Sequence, residues 1–405
     1  MLLTQAVSPR LSGHLEFTLK RAIWCCVVSV VAMACLQPVA EGGAMPGAAE
    51  PDRAAQPTGG GQGTAPAPAA DAGNASDAGQ RADCVSCGND LLVFGGNRPW
   101  PTDSGQGGAN GSAATFRIDL TTRRVSEVGF NTSFGKPPAR LNHVAAWDAA
   151  AQRMLVFGGS QEELVPADVW TLEFGSVVPR WRRLLPSGPT PSARNFAASA
   201  FDPVRRKWYV GFGQGAFGTS LKSDFFVFDA ATNQWSQLSN DGPPPRACAA
   251  MAVDPATGIV VLSGGLTGGP EVFSDVWTWD PAAPGWKVAT ASPVPLAWHL
   301  VFPDLSPIVL FGGVRAAHPS TPQEEVLSLT LGPPATWGRI GLAPEAARGI
   351  LSRAATVNGV GYAWNGEHTG ALWRYEVERG HWSSLALSGA PDWLEGFSIV
   401  GRGPR

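Results

Sequence analysis

Met154-Leu155-Val156-Phe157-Gly158-Gly159 is an apolar run closed by a glycine doublet, and one tryptophan, Trp181, stands downstream of it. The closing phrase returns as Phe94-Gly95-Gly96, Phe212-Gly213-Gln214, Ser263-Gly264-Gly265, Phe311-Gly312-Gly313 and the degenerate Trp364-Asn365-Gly366. Trp181, Trp235, Trp286, Trp337 and Trp382 follow five of the six closures, separated from one another by 54, 51, 51 and 45 residues. A period near fifty written in strand-forming residues is the mark of a propeller blade. The expected fold is therefore all-β, a six-bladed β-propeller running from about residue 90 to the end of the chain.

One repeat shows how a blade is written. Within residues 194–239, Phe196 to Phe201 reads as the inner strand (a), Trp208 to Phe212 as strand b, Phe225 to Phe228 as strand c and Trp235 to Leu238 as the outer strand (d). Turn formers separate them, Asp202-Pro203 after strand a and Asp229 to Asn233 after strand c. Strand a carries small pairs, Ala145-Ala146, Ala197-Ala198, Ala249-Ala250 and Ala354-Ala355, which suit strands crowded around an axis. Trp170, Phe226, Trp277 and Trp373 recur at one place on strand c. That fixed place predicts packing between blades rather than an aromatic platform for a sugar.

Blade 1 lacks a strand a of its own, because Leu91 follows the Cys84-x-x-Cys87 region at once, while Gly396-Phe397-Ser398-Ile399-Val400 is left over after blade 6. Using that segment as the inner strand of blade 1 completes six four-stranded sheets and closes the ring.

The pattern resembles the kelch family over residues 88 to 401. The residues that carry the likeness are the doublets at 95–96, 158–159, 264–265 and 312–313, the strand c openings Asp168-Val169-Trp170 and Asp275-Val276-Trp277, and the strand d tryptophans. Departures are Gly213-Gln214 in blade 3, Asn365-Gly366 in blade 6 and Val125 where blade 1 should have tryptophan.

The segment before the ring is of another kind. Lys20-Arg21, the apolar stretch Ala22 to Val31 and Ala32-Met33-Ala34 read as an export signal over residues 1–34, too short to span a bilayer. Cys35 at the cut site resembles the acylated cysteine of bacterial lipoproteins. Residues 41 to 83 contain one large apolar side chain, Met45, so residues 35–83 are expected to form a disordered tether. A flexible chain of that length spans on the order of 35 Å. The ring itself is assigned to residues 84–405. These features place the protein outside the cytoplasm, as an outer-membrane or cell-surface lipoprotein or as a periplasmic or secreted protein. Export also makes a local disulfide the expected state of Cys84 and Cys87, since no second cysteine pair offers a zinc site. Cys248 is expected to be unpaired on a buried strand.

A net charge of -3 and a pI near 6.1 exclude the concentrated basic surface that nucleic acid requires. A membrane is reached through the lipid anchor alone, and a monomer is expected. The arginine-rich balance, 25 Arg against 5 Lys, together with abundant Ala, Gly and Pro, suggests a GC-rich and hence bacterial genome.

Candidate site residues lie on one face. In an up-and-down blade the d-to-a and b-to-c connections share a face, and that face carries Arg140, Arg194 and Arg246 ahead of strand a, with Arg98 and Trp100 in the long 97–113 segment. Among kelch domains that bind acidic peptides or sugars, arginines at this place line the pocket, and the guanidinium fork suits a carboxylate. The same arginines could instead bond loop carbonyls and hold the blades in register. Leu296 stands at this place in blade 5, and blade 6 offers Arg348 or Arg353 offset from it. His143 and His299 share a position on strand a, and His318 and His368 fall in b-to-c loops, without the tight spacing of a metal site. No metal or other cofactor is expected.

Catalytic signatures are absent from the sequence: there is no Gly-x-Ser-x-Gly, phosphate loop or His-Glu-x-x-His. Tyr209, Tyr362 and Tyr375, all at core positions, cannot supply the copper-radical site of the galactose oxidase branch. Asp168, Asp224 and Asp275 recur once per blade, which predicts loop capping rather than acid catalysis. The sequence thus points to a binding or interaction module for a protein or a glycan. Two alternatives stand beside it: an isomerase or mutarotase acting on an acidic sugar, with an arginine and a glutamate across the channel mouth, and a scaffold that binds partners through its sides.

Overall fold

The computed structural model describes residues 88–403 apart from 97–111, 132, 134, 161–165, 177, 216–219, 239–240, 318–319 and 393. The export signal, the tether, Cys35, Cys84, Cys87, Arg98, Trp100 and His318 lie outside the described residues.

Six four-stranded antiparallel sheets are arranged as a β-propeller. Blade 2 runs from strand a (Val144–Asp148) through b (Arg153–Phe157) and c (Val169–Glu173) to d (Arg180–Leu184). Blade 3 is Ala198–Asp202, Lys207–Gly211, Phe225–Asp229 and Gln234–Gln237, each strand within two residues of its expected bounds. Blades 4 to 6 repeat the order, with inner strands Ala250–Val253, Leu300–Phe302 and Ser352–Val357. Blade 1 takes its inner strand from the far end of the chain: Ser398–Arg402 pairs antiparallel with Asp90–Phe94. Each inner strand touches its two neighbours, and the circuit closes between blades 6, 1 and 2.

Among the described residues the core is divided into six clusters, and each lies in a seam between consecutive blades. Leu92, Phe94 and Val400 of blade 1 pack on Met154, Val156, Trp170 and Trp181 of blade 2, while Leu91 and Val93 turn to Ala355, Tyr362 and Trp364 of blade 6. Successive side chains of a strand face opposite ways. A strand b buried on both faces must therefore be apolar throughout, which is why Leu91-Leu92-Val93 shows no polar alternation. Strand c aromatics join the same seams, Trp170 between blades 1 and 2 and Phe226 between blades 2 and 3.

The two halves of the repeating phrase meet across a seam. The phenylalanine that ends strand b packs on the strand d tryptophan of the next blade: Phe94 on Trp181, Phe157 on Trp235 and Phe311 on Trp382, with ring centroids 4.8, 5.5 and 5.2 Å apart. Where blade 1 has Val125 in place of the tryptophan, blade 6 has Trp364 in place of the phenylalanine, and both sit in one cluster. The large side chain has changed sides of the seam.

The doublet itself is a contact device. The second glycine donates its N–H to a carbonyl of the following d-to-a connection, Gly159 to Arg194 and Gly265 to Leu296. A Cβ on Gly158 would lie 2.6 Å from the Arg194 carbonyl oxygen, and the residue has φ +69°, so glycine is required twice over. In blade 3 the sequence alignment is one residue out. Gly213, not Gln214, donates to the next connection, so the counterpart of Gly158-Gly159 is Phe212-Gly213. Phe212 takes the left-handed conformation at φ 60° with its side chain fully buried. Gly211 before it leaves room for the Asp224 carbonyl and the Phe225 ring.

Candidate functional site at the channel mouth

Arg140, Arg194 and Arg246 occupy equivalent places ahead of strand a, and all three are sealed from solvent. Each guanidinium clamps the aspartate at the start of strand c in its own blade through two bonds. The distances are 2.8 and 3.2 Å for Arg140–Asp168, 2.7 and 2.7 Å for Arg194–Asp224, and 2.6 and 2.7 Å for Arg246–Asp275. Nη1 also reaches the first residue of the doublet, Gly158, Phe212 or Gly264, and Nε reaches Pro138, Ser192 or Pro244. Burial works to raise the Asp168 and Asp275 carboxyls, and the arginine fork with the Trp170 or Trp277 indole outweighs it and holds both below the ordinary value. Of the two roles open to these arginines, the bonds to loop carbonyls are the ones the forks make, and Asp168, Asp224 and Asp275 accept from the forks rather than simply capping a loop. Both partners tie the loop connection to strand c, and none of the three forks faces the channel.

What lines the channel mouth is a second repeated position, just ahead of strand a. Asn142, Phe196, Cys248 and Trp298 all have left-handed φ, at 55, 49, 58 and 51°, and Gly396 has φ 63°. Their backbones form a relay around the axis: Asn142 donates to Gly396, Phe196 to Asn142, Cys248 to Phe196 and Trp298 to Cys248. Cys248 belongs to this relay rather than to a strand, which corrects its expected placement. The sequence conceals the relay because its members share a backbone conformation and no side-chain chemistry.

Blade 6 interrupts the relay. A one-turn helix, α1 (Glu345–Arg348), fills its d-to-a connection. Arg348 holds the repeat place of Arg140 yet pairs with Glu324 of blade 5. The Arg353 side chain spans the break, its Nε donating to the Phe397 carbonyl at 3.0 Å and its Nη1 to Ile350 at 3.2 Å and Ser352 at 2.8 Å. Asn142, Phe196, Cys248, Trp298, Arg353 and Phe397 border a vestibule of about 240 Å3. A second cavity of about 350 Å3 opens on the other face. Ala145, Ser199, Met251, Val301, Ala354 and Ile399, one from each blade, line both and form the waist between them.

Two of the histidines, His143 and His299, are buried structural groups. His143 Nε2 is bonded to Ser398 Oγ at 2.8 Å and His299 Nε2 to Ser263 Oγ at 2.7 Å. Burial, then the charges of Arg140 and Arg353, hold His143 well below the ordinary value, and burial takes His299 down to about 3. His368 is exposed. Among the described residues no group of three or more His, Cys, Asp or Glu is placed to hold a metal ion, and no Asp or Glu lines the upper vestibule. None of the described helices is long and apolar enough to cross a membrane.

Blades that exchange a Phe–Trp contact across four of the seams, glycine doublets that latch the next connection, and a ring closed by the last strand define a kelch-type β-propeller. Residues 81–313 match the family described as the KLHDC2/KLHL20/DRC7 Kelch-repeats domain, and the chain belongs to the kelch-repeat family. It is 30% identical over 206 residues to Adagio-like protein 3 of Oryza sativa subsp. japonica, covering 48% of this chain and 32% of that one. It is 28% identical over 186 residues to Adagio protein 3 of Arabidopsis thaliana, covering 44% and 29%. Serine/threonine-protein phosphatase BSL2 of Arabidopsis thaliana matches at 28% over 195 residues, 44% of this chain and 18% of that one. The chain thus spans about a third or less of the length of these relatives.

Proposed function

We propose that the protein is an interaction module that engages a protein partner through the face bearing the d-to-a and b-to-c connections. One observation carries this reading, the asymmetry of the two faces. On the far face strands are joined by tight turns such as 149–152, 203–206 and 358–359. On the near face the b-to-c connections take more residues, such as 264–274 in blade 4, and that of blade 5 carries its own hairpin, Val314–Ala316 with Thr321–Pro322. Half-buried Phe196 and Trp298 stand at the mouth. Long loops on a rigid scaffold are the usual carriers of recognition. Recurrence of the repeat as a minor part of longer, differently named chains accords with a module that does not itself dictate an activity.

After export under the 1–34 signal, a lipid on Cys35 and the 35–83 tether would hold the ring clear of a membrane surface. Photo-crosslinking in the cells that make the protein tests the reading, with the crosslinker at positions 196 and 298 for the mouth or 288 and 342 for the exposed outer edges. A discrete protein adduct from the mouth positions is expected. Adducts from the edges alone would establish the side-binding scaffold instead, and a glycan panel tests the other ligand class on the same variants. Mass analysis of the mature N-terminus, before and after Cys35→Ala, reports on the lipid.

A further inference from the structure

Among the described residues the buried arginines are matched with carboxylates, and half-buried Arg353 is not. Arg140, Arg194, Arg246, Arg153 and Arg402 each pair with an aspartate: Asp168, Asp224, Asp275, Asp148 and Asp90. Arg353 forms no ion pair among the described residues. Its three hydrogen bonds all go to backbone carbonyls, at Phe397, Ile350 and Ser352. Carbonyl dipoles satisfy donors without neutralising the charge, and a cation surrounded by protein without a counter-ion is unfavourable. Burial lowers the Arg353 pKa from its ordinary value and outweighs Cys248 and Glu395, which act the other way, and the same charge helps keep His143 neutral.

The arrangement leaves donors over. A guanidinium has five N–H groups, and the three bonds use Nε and Nη1. Nη2 has no partner among the described residues, yet it is not one of the unbonded polar atoms sealed from solvent. Arg353 lines the vestibule, whose other walls include Ala145, Ala197, Ala249 and Ala354 and whose floor is the six-residue waist. A cation with no carboxylate at ion-pair distance among the described residues, Glu395 acting on it only from further off, and with free N–H donors in a small cavity that has alanine walls and no lining carboxylate, selects a monoanion with a short apolar stem. At about 240 Å3 the space suits a small molecule rather than a folded loop.

We propose that the vestibule binds a free short-chain aliphatic carboxylate, its oxygens accepting from Nη2 of Arg353 and its stem lying on the alanine walls. The site is independent of which macromolecule the outer loops engage. Calorimetric titration of the full chain with acetate, butyrate and hexanoate, and with butyramide and hexanamide, tests it. Affinity should rise along the acid series, and each amide should bind at least tenfold more weakly than its acid. Arg353→Met should weaken butyrate at least tenfold. Because that variant also removes bonds between blades 6 and 1, two others stand beside it. Arg353→Lys keeps the cation and should retain part of the affinity. Ser199→Leu fills the waist without touching Arg353 and should lose hexanoate while keeping acetate. The proposal is overturned by absence of binding in the wild type, by amides that match the acids, by unchanged affinity in Arg353→Met, or by binding of a capped glutamate peptide alone.

Discussion

At the scale of single residues, the buried arginines show how one residue type at one repeat position can suggest a ligand site and serve the scaffold. Sequence spacing placed Arg140, Arg194 and Arg246 on the correct face, but the partner of each lies roughly thirty residues away, and only folding brings the two together. Breaking such a pair leaves a desolvated cation, so Asp224→Ala should cost about 2–3 kcal/mol, somewhat under the usual range for a buried pair because Asp224 is 25% exposed. The double variant Arg194→Met/Asp224→Leu should lose less than that single change, as read by urea unfolding. The histidines make a pH-dependent contribution. With its folded value near 3 against an unfolded value near 6.5, His299 stays neutral in the fold while the unfolded chain takes up a proton. Stability should therefore fall as pH drops from about 6.5 toward 3, by at most about 1.4 kcal/mol per pH unit for this group. His299→Asn should flatten the fall in melting temperature between pH 7 and 5.

At the scale of the strand and its connection, the repeating phrase is legible because it records contacts made once per seam. Phenylalanine at the end of strand b, glycines beside it and tryptophan on strand d are parts of one interface, so their spacing survives variation elsewhere. Gly158→Ala should cost at least about 2 kcal/mol, since the new Cβ meets the Arg194 carbonyl at 2.6 Å in a left-handed backbone. Trp181→Ala should cost about 3–5 kcal/mol, as expected for a fully buried tryptophan. Both are measured by denaturant unfolding. Blade 3 resisted the same reading because Phe-Gly there looks like the start of the doublet, while the hydrogen bonds assign Phe212 to the first glycine's place. An αL phenylalanine is not a pattern that residue types announce.

At the scale of the whole molecule, closure rests on joining the two ends of the ring. Arg402 of the last strand bonds Asp90 of the first, with both side chains almost completely buried, and Arg117 adds a second bond to Asp90 at 2.7 Å. Deleting residues 393 to 405 should lower and broaden the thermal transition of the whole ring, because it exposes the edge of blade 1 and two seams together. An unchanged cooperative melt would show that the ring does not depend on this strand. The sequence by itself determined the blade count, the order of strands and the C-terminal closure, because each follows from hydrophobic period and turn chemistry carried within neighbouring residues. The tertiary structure alone decided which arginine faces the channel. Arg140, Arg194 and Arg246 turn inward to aspartates of their own blades, while Arg353 is left without one by a break in the backbone relay at blade 6. A charge is neutralised or left open by what lies around it in space, and those neighbours come from segments far apart in the chain.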